Sequence, residues 1–146
     1  MQTNPTILLV ENNPSDEAST LRVLTQYRIW NDFAVVSTAR EALAYIHGTG
    51  AHGNRDARVK PQLIIARNDL PEMSGIDLVF RLRANAATRH VPVILLIHPD
   101  DIEKEPVPVG MSLCVTMKKP FRFRHLLQSL QRLGLYWIVT NDPVAA

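Results

Sequence analysis

Six residues stand at the ends of short apolar runs, five of them with side chains able to do chemistry: Glu11 and Asn12 after Thr6 to Val10, Arg67 after Leu63 to Ala66, His98 after Ile97 at the end of Pro92 to Ile97, and Lys119 after Leu113 to Met117. Carboxylates in such positions can hold a hard cation through oxygen, and a lysine can hold an oxyanion. Arg67 is of another kind. Its guanidinium stays cationic at every accessible pH and is not a nucleophile, so it offers fixed positive charge.

The runs that carry these residues alternate with helical patterns. Thr6 to Val10 is continuously apolar and rich in strand formers, as a strand buried on both faces must be. Asn13 then fits an N-cap with Pro14 in the first helical position, and Asp16 and Glu17 fall where the helix dipole favours anions. The face of that helix is expected to carry Leu21, Leu24 and Tyr27 or Arg28. Phe33 to Val36 reads as a second strand, and Thr38 to Glu41 as a capping box opening a helix through Ile46. Residues 48–60 are polar and glycine-rich and read as an exposed loop. After the third strand, Ser74-Gly75 leads into a helix to about Ala84. The last helix is the most amphipathic, with Phe123, Leu126, Leu127, Leu130 and Leu133 on one side and Arg122, Arg124, Gln128 and Arg132 on the other, closed by Gly134.

Five strands alternating with helices imply an α/β fold, a three-layer, doubly wound, five-stranded parallel sheet, because parallel neighbours require right-handed crossovers. Function in such sheets gathers at the carboxyl ends of the strands, which brings Glu11, Asn12, Arg67, Ile97, His98 and Lys119 to one edge. The fourth crossover is expected to be shortened or irregular, since Pro106 and Pro108 fall inside residues 99–110.

Composition bounds the rest. At 146 residues with 46% hydrophobic and 21% charged side chains, the chain has the make-up of an ordinary globular protein with one core. Residues 1–134 read as the domain and 135–146 as a C-terminal arm or tail. The apolar runs are too short for a bilayer and the N-terminus lacks a signal-peptide pattern, so a cytoplasmic, non-membrane protein is expected. The single Cys114 lies in an apolar stretch and reads as a small hydrophobe, and His47, His52, His90 and His125 lack metal-ligand spacing. A net charge of +2 without a Lys/Arg block makes nucleic acid the weaker partner class, with Arg122, Arg124, His125 and Arg132 read as a solvated face. The chain shows no nucleophile with a matched base, so no enzymatic activity is expected.

Four segments together resemble a CheY-type receiver domain, the response-regulator module of two-component signalling: Ile7 to Pro14, Leu70 to Gly75, Val91 to Leu96, and Lys119-Pro120-Phe121. They cover most of residues 6–133. The run Leu133 to Asn141 is also similar to single-domain regulators that accompany bacterial and cyanobacterial phytochromes.

The resemblance implies a flavodoxin/CheY-like fold and a phosphoacceptor pocket. In that family two adjacent acids after strand one and the acceptor aspartate after strand three hold magnesium, while a hydroxyl after strand four and a lysine after strand five contact the phosphoryl oxygens. Here the acid places are Glu11 and Asn12, the acceptor place is Arg67, the hydroxyl place is Ile97, and Lys119 is intact. Thr116 replaces the aromatic switch residue. Asp69 would be a displaced acceptor, but the family position offers its backbone carbonyl to the metal.

The implied protein is a degenerate receiver acting in a phosphorelay pathway as a phosphorylation-independent interaction module, with no metal and no cofactor. Its partner would be a histidine kinase or another signalling protein, met through the last helix, the fifth strand and residues 99–110. Arg67 is expected to enter the metal position and pair with Glu11, a bidentate contact being within its reach. Tyr136, Trp137, Ile138 and Val139 are expected to form a homodimer arm. Two alternatives stay open: a receiver phosphorylated on another residue, and a nucleic-acid-binding module.

Overall fold

The computed structural model describes residues 6–26, 32–53, 59–98, 111–119 and 121–135. Its elements run β1 (Thr6–Val10), α1 (Pro14–Gln26), β2 (Asp32–Val36), α2 (Ala39–His47), a 3-10 turn (Gly50–His52), β3 (Leu63–Arg67), α3 (Gly75–Arg83), β4 (Val93–Ile97), β5 (Cys114–Lys118) and α4 (Phe123–Arg132). All four strand pairings are parallel, in the order β2-β1-β3-β4-β5. β1 lies inside the sheet, and the order of the strands reverses beside it. The crevice above β1 and β3 is therefore the switch point at which such sheets build their sites.

The period-two pattern of the strands divides the core between the two faces. Leu8, Val10, Ile64, Ala66, Val93 and Leu95 pack with α2 and α3, whereas Ile7, Leu9, Leu63, Ile65, Ile94 and Leu96 pack with α1 and α4. Both sets are buried, which is why β1, β3 and β4 read as unbroken apolar runs. Each fully buried leucine or isoleucine stabilises by about 2 kcal/mol. A partly exposed surface ion pair adds about 1 kcal/mol at most. The core thus holds the fold, and the charged residues at its rim are left to define a site.

Local chemistry sets the helix starts on that rim. Asn13 Oδ1 accepts from the backbone N–H groups of Ser15 and Asp16, the expected cap of α1. Thr38 accepts from Glu41 N, but the Glu41 carboxylate bonds Ser37 N and not the cap residue, so the expected capping box closes one residue early. The complete box belongs to α3, between Ser74 and Asp77. The loop after α2 holds a 3-10 turn that the glycine-rich composition concealed, with Tyr45 packed edge-on to His52. On α4, Leu126 and Leu130 are buried and Arg122, Arg124 and Arg132 are exposed, as the amphipathic pattern requires. Residues 99–110, Tyr27, Arg28 and Tyr136 to Val139 lie outside the described residues, and with them the expected irregular crossover and the arm.

Candidate functional site

Glu11 and Lys119 each lie one residue past a strand and continue its ladder: Glu11 N donates to Val36 O at 3.0 Å and Lys119 N to Ile97 O at 3.0 Å. Arg67 closes β3, and Asn68 N donates to Leu96 O at 2.9 Å. The sheet hydrogen bonds thus fix the backbones of three charged residues at one edge before any side chain interacts.

The loop after β3 is fixed just as closely. Asn68 Oδ1 accepts from Ile76 N at 2.9 Å, and Asn68 O accepts from Gly75 N at 2.9 Å, which ties the start of α3 to the strand end. Gly75 permits this approach, because a Cβ there would stand 2.7 Å from Arg67 O and 3.0 Å from Asn68 Cα. Glu72, in the same loop, has a φ of 67°, a left-handed conformation for a non-glycine residue. The loop aims the Asp69 carbonyl at Arg67, whose Nε donates to it at 3.0 Å.

The rest of the guanidinium organises the site. Arg67 Nη1 donates to Glu11 Oε2 at 3.0 Å and to Asp16 Oδ2 at 2.9 Å. Lys119 Nζ donates to the same Asp16 oxygen at 2.6 Å and lies 3.8 Å from Glu11 Oε1. Two acids and two bases form one cluster with no net charge. Arg67 therefore pairs with Glu11 through a single nitrogen, not bidentately, because that nitrogen also serves Asp16. Lys119 and Arg67 do not face each other unscreened, since the Asp16 carboxylate lies between them.

Burial makes the two acids unequal. The Glu11 side chain is fully buried, and its Oε2 also accepts from Asn13 N at 3.1 Å, but its Oε1 has no hydrogen-bond partner among the described residues. The Asp16 side chain is 36% exposed. The Lys119 hydrogen bond, outweighing burial and joined by Arg67, holds the Asp16 carboxyl below the usual carboxylate range. For Arg67, burial works against the charged form, but its bonds to Glu11 and Asp16 prevail and raise its pKa above the ordinary arginine value.

Of the residues singled out in the sequence, Glu11, Arg67 and Lys119 meet in this cluster. Asn12 is exposed beside it, Ile97 is buried at the end of β4, and His98 is exposed next to Ile97. Thr116, half-buried on the edge strand β5, lines a shallow groove against α4 with Lys118, His125 and Arg132 and does not enter the cluster. Asp16 was missed: its place in the first turn of α1 had been explained by the helix dipole alone. The available signal was topological, because a helix that follows a strand in this fold starts at the carboxyl edge.

The residues present do not fit a divalent cation. One oxygen each of Glu11 and Asp16 and the Asp69 carbonyl are bonded to the Arg67 guanidinium, and a metal ion among them would meet a fixed like charge.

No family model matches the chain. It is 22% identical to Response regulator Rcp1 of Synechocystis over 147 residues, 99% of this chain and 98% of that protein. Among solved structures it is similar to the bacteriophytochrome response regulator AtBRR, with a TM-score of 0.81 and 27% identity over 97% of this chain and all of that one. It is also similar to the bacteriophytochrome response regulator RtBRR, with a TM-score of 0.84 and 25% identity, covering 97% of this chain and 84% of that one.

Proposed function

The chain is a CheY-like response regulator receiver of two-component signalling, resembling the phytochrome-associated regulators, and from that premise we propose that it signals without accepting a phosphoryl group. The observation that carries this reading is Arg67 Nη1 bonded to Glu11 and Asp16. In this reading the guanidinium occupies the metal place: it takes the carboxylate of Glu11 and the Asp69 carbonyl, the oxygen that the resemblance assigns to magnesium. Arginine at the acceptor position supplies no oxygen nucleophile, and Ile97 supplies no hydroxyl to follow a phosphoryl oxygen.

A receiver with such a pocket is a protein-interaction module and not an enzyme. Its partner is a histidine kinase or another signalling protein of a phytochrome-linked pathway in the cell interior, and the names of the two bacteriophytochrome response regulators support that pathway. The aromatic run from Tyr136 to Val139 supports a homodimer built through residues 135–146. Light scattering on the whole chain and on residues 1–134 tests the dimer, and a species of unchanged stoichiometry after truncation counts against the arm.

The test of the main reading is incubation with acetyl phosphate and magnesium followed by intact mass. The expected result is an unmodified chain. A mass increase of one phosphoryl group overturns the reading and returns the chain to the phosphorylatable class. The Arg67→Asp variant shows whether that one residue disables the pocket: a variant still unmodified shows that Asn12 and Ile97 suffice.

A further inference from the structure

After α2 the chain folds back and lays a histidine against the helix it has just left. Gly48 takes a left-handed φ of 65°, its N–H donating to Tyr45 O at 3.3 Å, and Thr49 N donates to Ala44 O at 2.9 Å. His52 N then donates to Thr49 O at 2.9 Å and Gly53 N to Gly50 O at 3.1 Å, which winds the 3-10 turn. The His52 ring comes to rest beside Glu41 and Tyr45, which are four residues apart and so share one face of α2. Its centroid lies 5.2 Å from that of Tyr45, edge-on at 74°, and its Nε2 lies 3.6 Å from Glu41 Oε2.

Nε2 is buried and has no hydrogen-bond partner among the described residues, although a carboxylate oxygen stands just outside bonding distance. On a neutral ring this nitrogen is a lone pair or an uncharged donor. On an imidazolium it is a charged donor, and a hydrogen bond from it to a carboxylate is shorter and roughly twice as strong. The carboxylate is already oriented by its other oxygen, since Glu41 Oε1 accepts from Ser37 N at 3.1 Å. Ser37 follows Val36, whose carbonyl accepts from Glu11 N. The histidine thus stands at the outer end of a line of contacts that reaches the carboxyl edge of the sheet. Glu41 and Tyr45 are the titratable groups against its ring among the described residues. The others on or against α2 are Arg40, 3.9 Å from Glu72, His47 in the last turn, and Lys60, whose Nζ donates to Ile46 O at 3.1 Å.

We infer that His52 is a proton-operated clamp: on protonation its Nε2 donates to Glu41 Oε2 and fastens the 3-10 turn to the first turn of α2. The sign follows from where the partner exists. A charged histidine that meets its carboxylate only in the folded chain stabilises when protonated. That contribution is present in acid and is lost as pH rises through about 5 to 8, the range in which histidine changes charge. The Glu41 side chain is 43% exposed, so solvent screening holds the effect to roughly threefold in the unfolding constant. The inference goes beyond the reading proposed above and holds whether or not the chain accepts a phosphoryl group, because neither residue belongs to the Arg67 cluster.

The experiment is a cycle of four whole chains, the unchanged one, His52→Phe, Glu41→Gln and the pair, unfolded in urea at about pH 5.5 and about pH 8. Phenylalanine keeps a ring against Tyr45 and glutamine keeps an oxygen for Ser37 N, so the variants remove charge and leave the packing. The remaining histidines are common to all four chains and cancel. A coupling of roughly threefold is expected at the lower pH and none at the higher. The Ser37 amide resonance of the unchanged chain is expected to shift across the same range and to stand still in His52→Phe. Circular dichroism confirms the fold of each variant, and His52→Gln replaces His52→Phe if the latter is unfolded. A coupling equal at the two pH values reduces the contact to packing and overturns the inference. So does the lack of coupling at both, or a Ser37 amide that does not respond to pH in the unchanged chain.

Discussion

Replacing Arg67 by methionine isolates the contact on which the site depends. Methionine keeps much of the apolar bulk and removes the donors that serve Glu11, Asp16 and the Asp69 carbonyl. Asp16 and Asp69 can turn to water, since the Asp16 side chain is 36% exposed and the carbonyl sits in a surface loop. Glu11 cannot, because its side chain is fully buried. It keeps one backbone hydrogen bond, from Asn13 N, and a lysine 3.8 Å away that is committed to Asp16. Breaking a buried pair by removing one partner costs about 3–5 kcal/mol. Lys119 can swing from Asp16 to Glu11 and recover part of this, leaving a loss of about 2–3 kcal/mol. Glu11→Gln in the Arg67→Met background removes the stranded charge, so the double variant should be more stable than the two single losses predict. A coupling of about 2 kcal/mol is expected from urea unfolding of all four chains at neutral pH, with the m-value unchanged to keep the comparison two-state. A coupling below about 0.5 kcal/mol, the range of independent sites, refutes the argument that Arg67 is held by a buried charge.

The other predictions concern the supports of the site. Gly75→Ala places a Cβ against the Arg67 carbonyl and Asn68 Cα, both backbone, and should cost about 2 kcal/mol in denaturant midpoint stability, whereas a loss below about 0.5 kcal/mol means that the loop is free to shift. Asp16 has a folded-state pKa below its unfolded value, so it stabilises above the unfolded carboxylate range, and that contribution is lost as pH falls through the lower, folded value. Solvent screening keeps it under about 1 kcal/mol. Asp16→Asn should remove that part of the acid-side slope in pH-dependent unfolding, and an unchanged slope contradicts the assignment.

The fold could be read in the sequence because its evidence is local. Each of the runs at β1, β3 and β4 is short and apolar, and the helices between them begin at Asn13-Pro14, Thr38 and Ser74, where capping chemistry is written in adjacent residues. Arg67 and Glu11 were also predictable as partners, because β1 and β3 are neighbours at the switch point, Arg67 is the last residue of β3 and Glu11 directly follows the last residue of β1. Asp16 required more: the helix had to be folded down on the sheet before its first turn could be seen to face Lys119, and a plausible local role for the acid hid the distant one. The early closure of the box at Ser37 and the 3-10 turn after α2 were missed for a related reason, since each depends on small differences among turn geometries that the same polar residues can all adopt.

The bonds of the cluster span long loops of chain. Arg67 reaches back 56 residues to Glu11 and 51 to Asp16, and Lys119 reaches back 103 residues to Asp16. Contacts between such distant segments form only after the loop entropy between them has been overcome, so the Lys119–Asp16 contact waits until β5 has docked on β4. Interactions absent from the folding transition state leave the folding rate almost untouched and slow unfolding instead. By tying the residue after β5 to the first turn of α1, the Lys119–Asp16 bond adds to what keeps the edge strand on the sheet, and so to the constancy of the rim that this receiver presents to a partner.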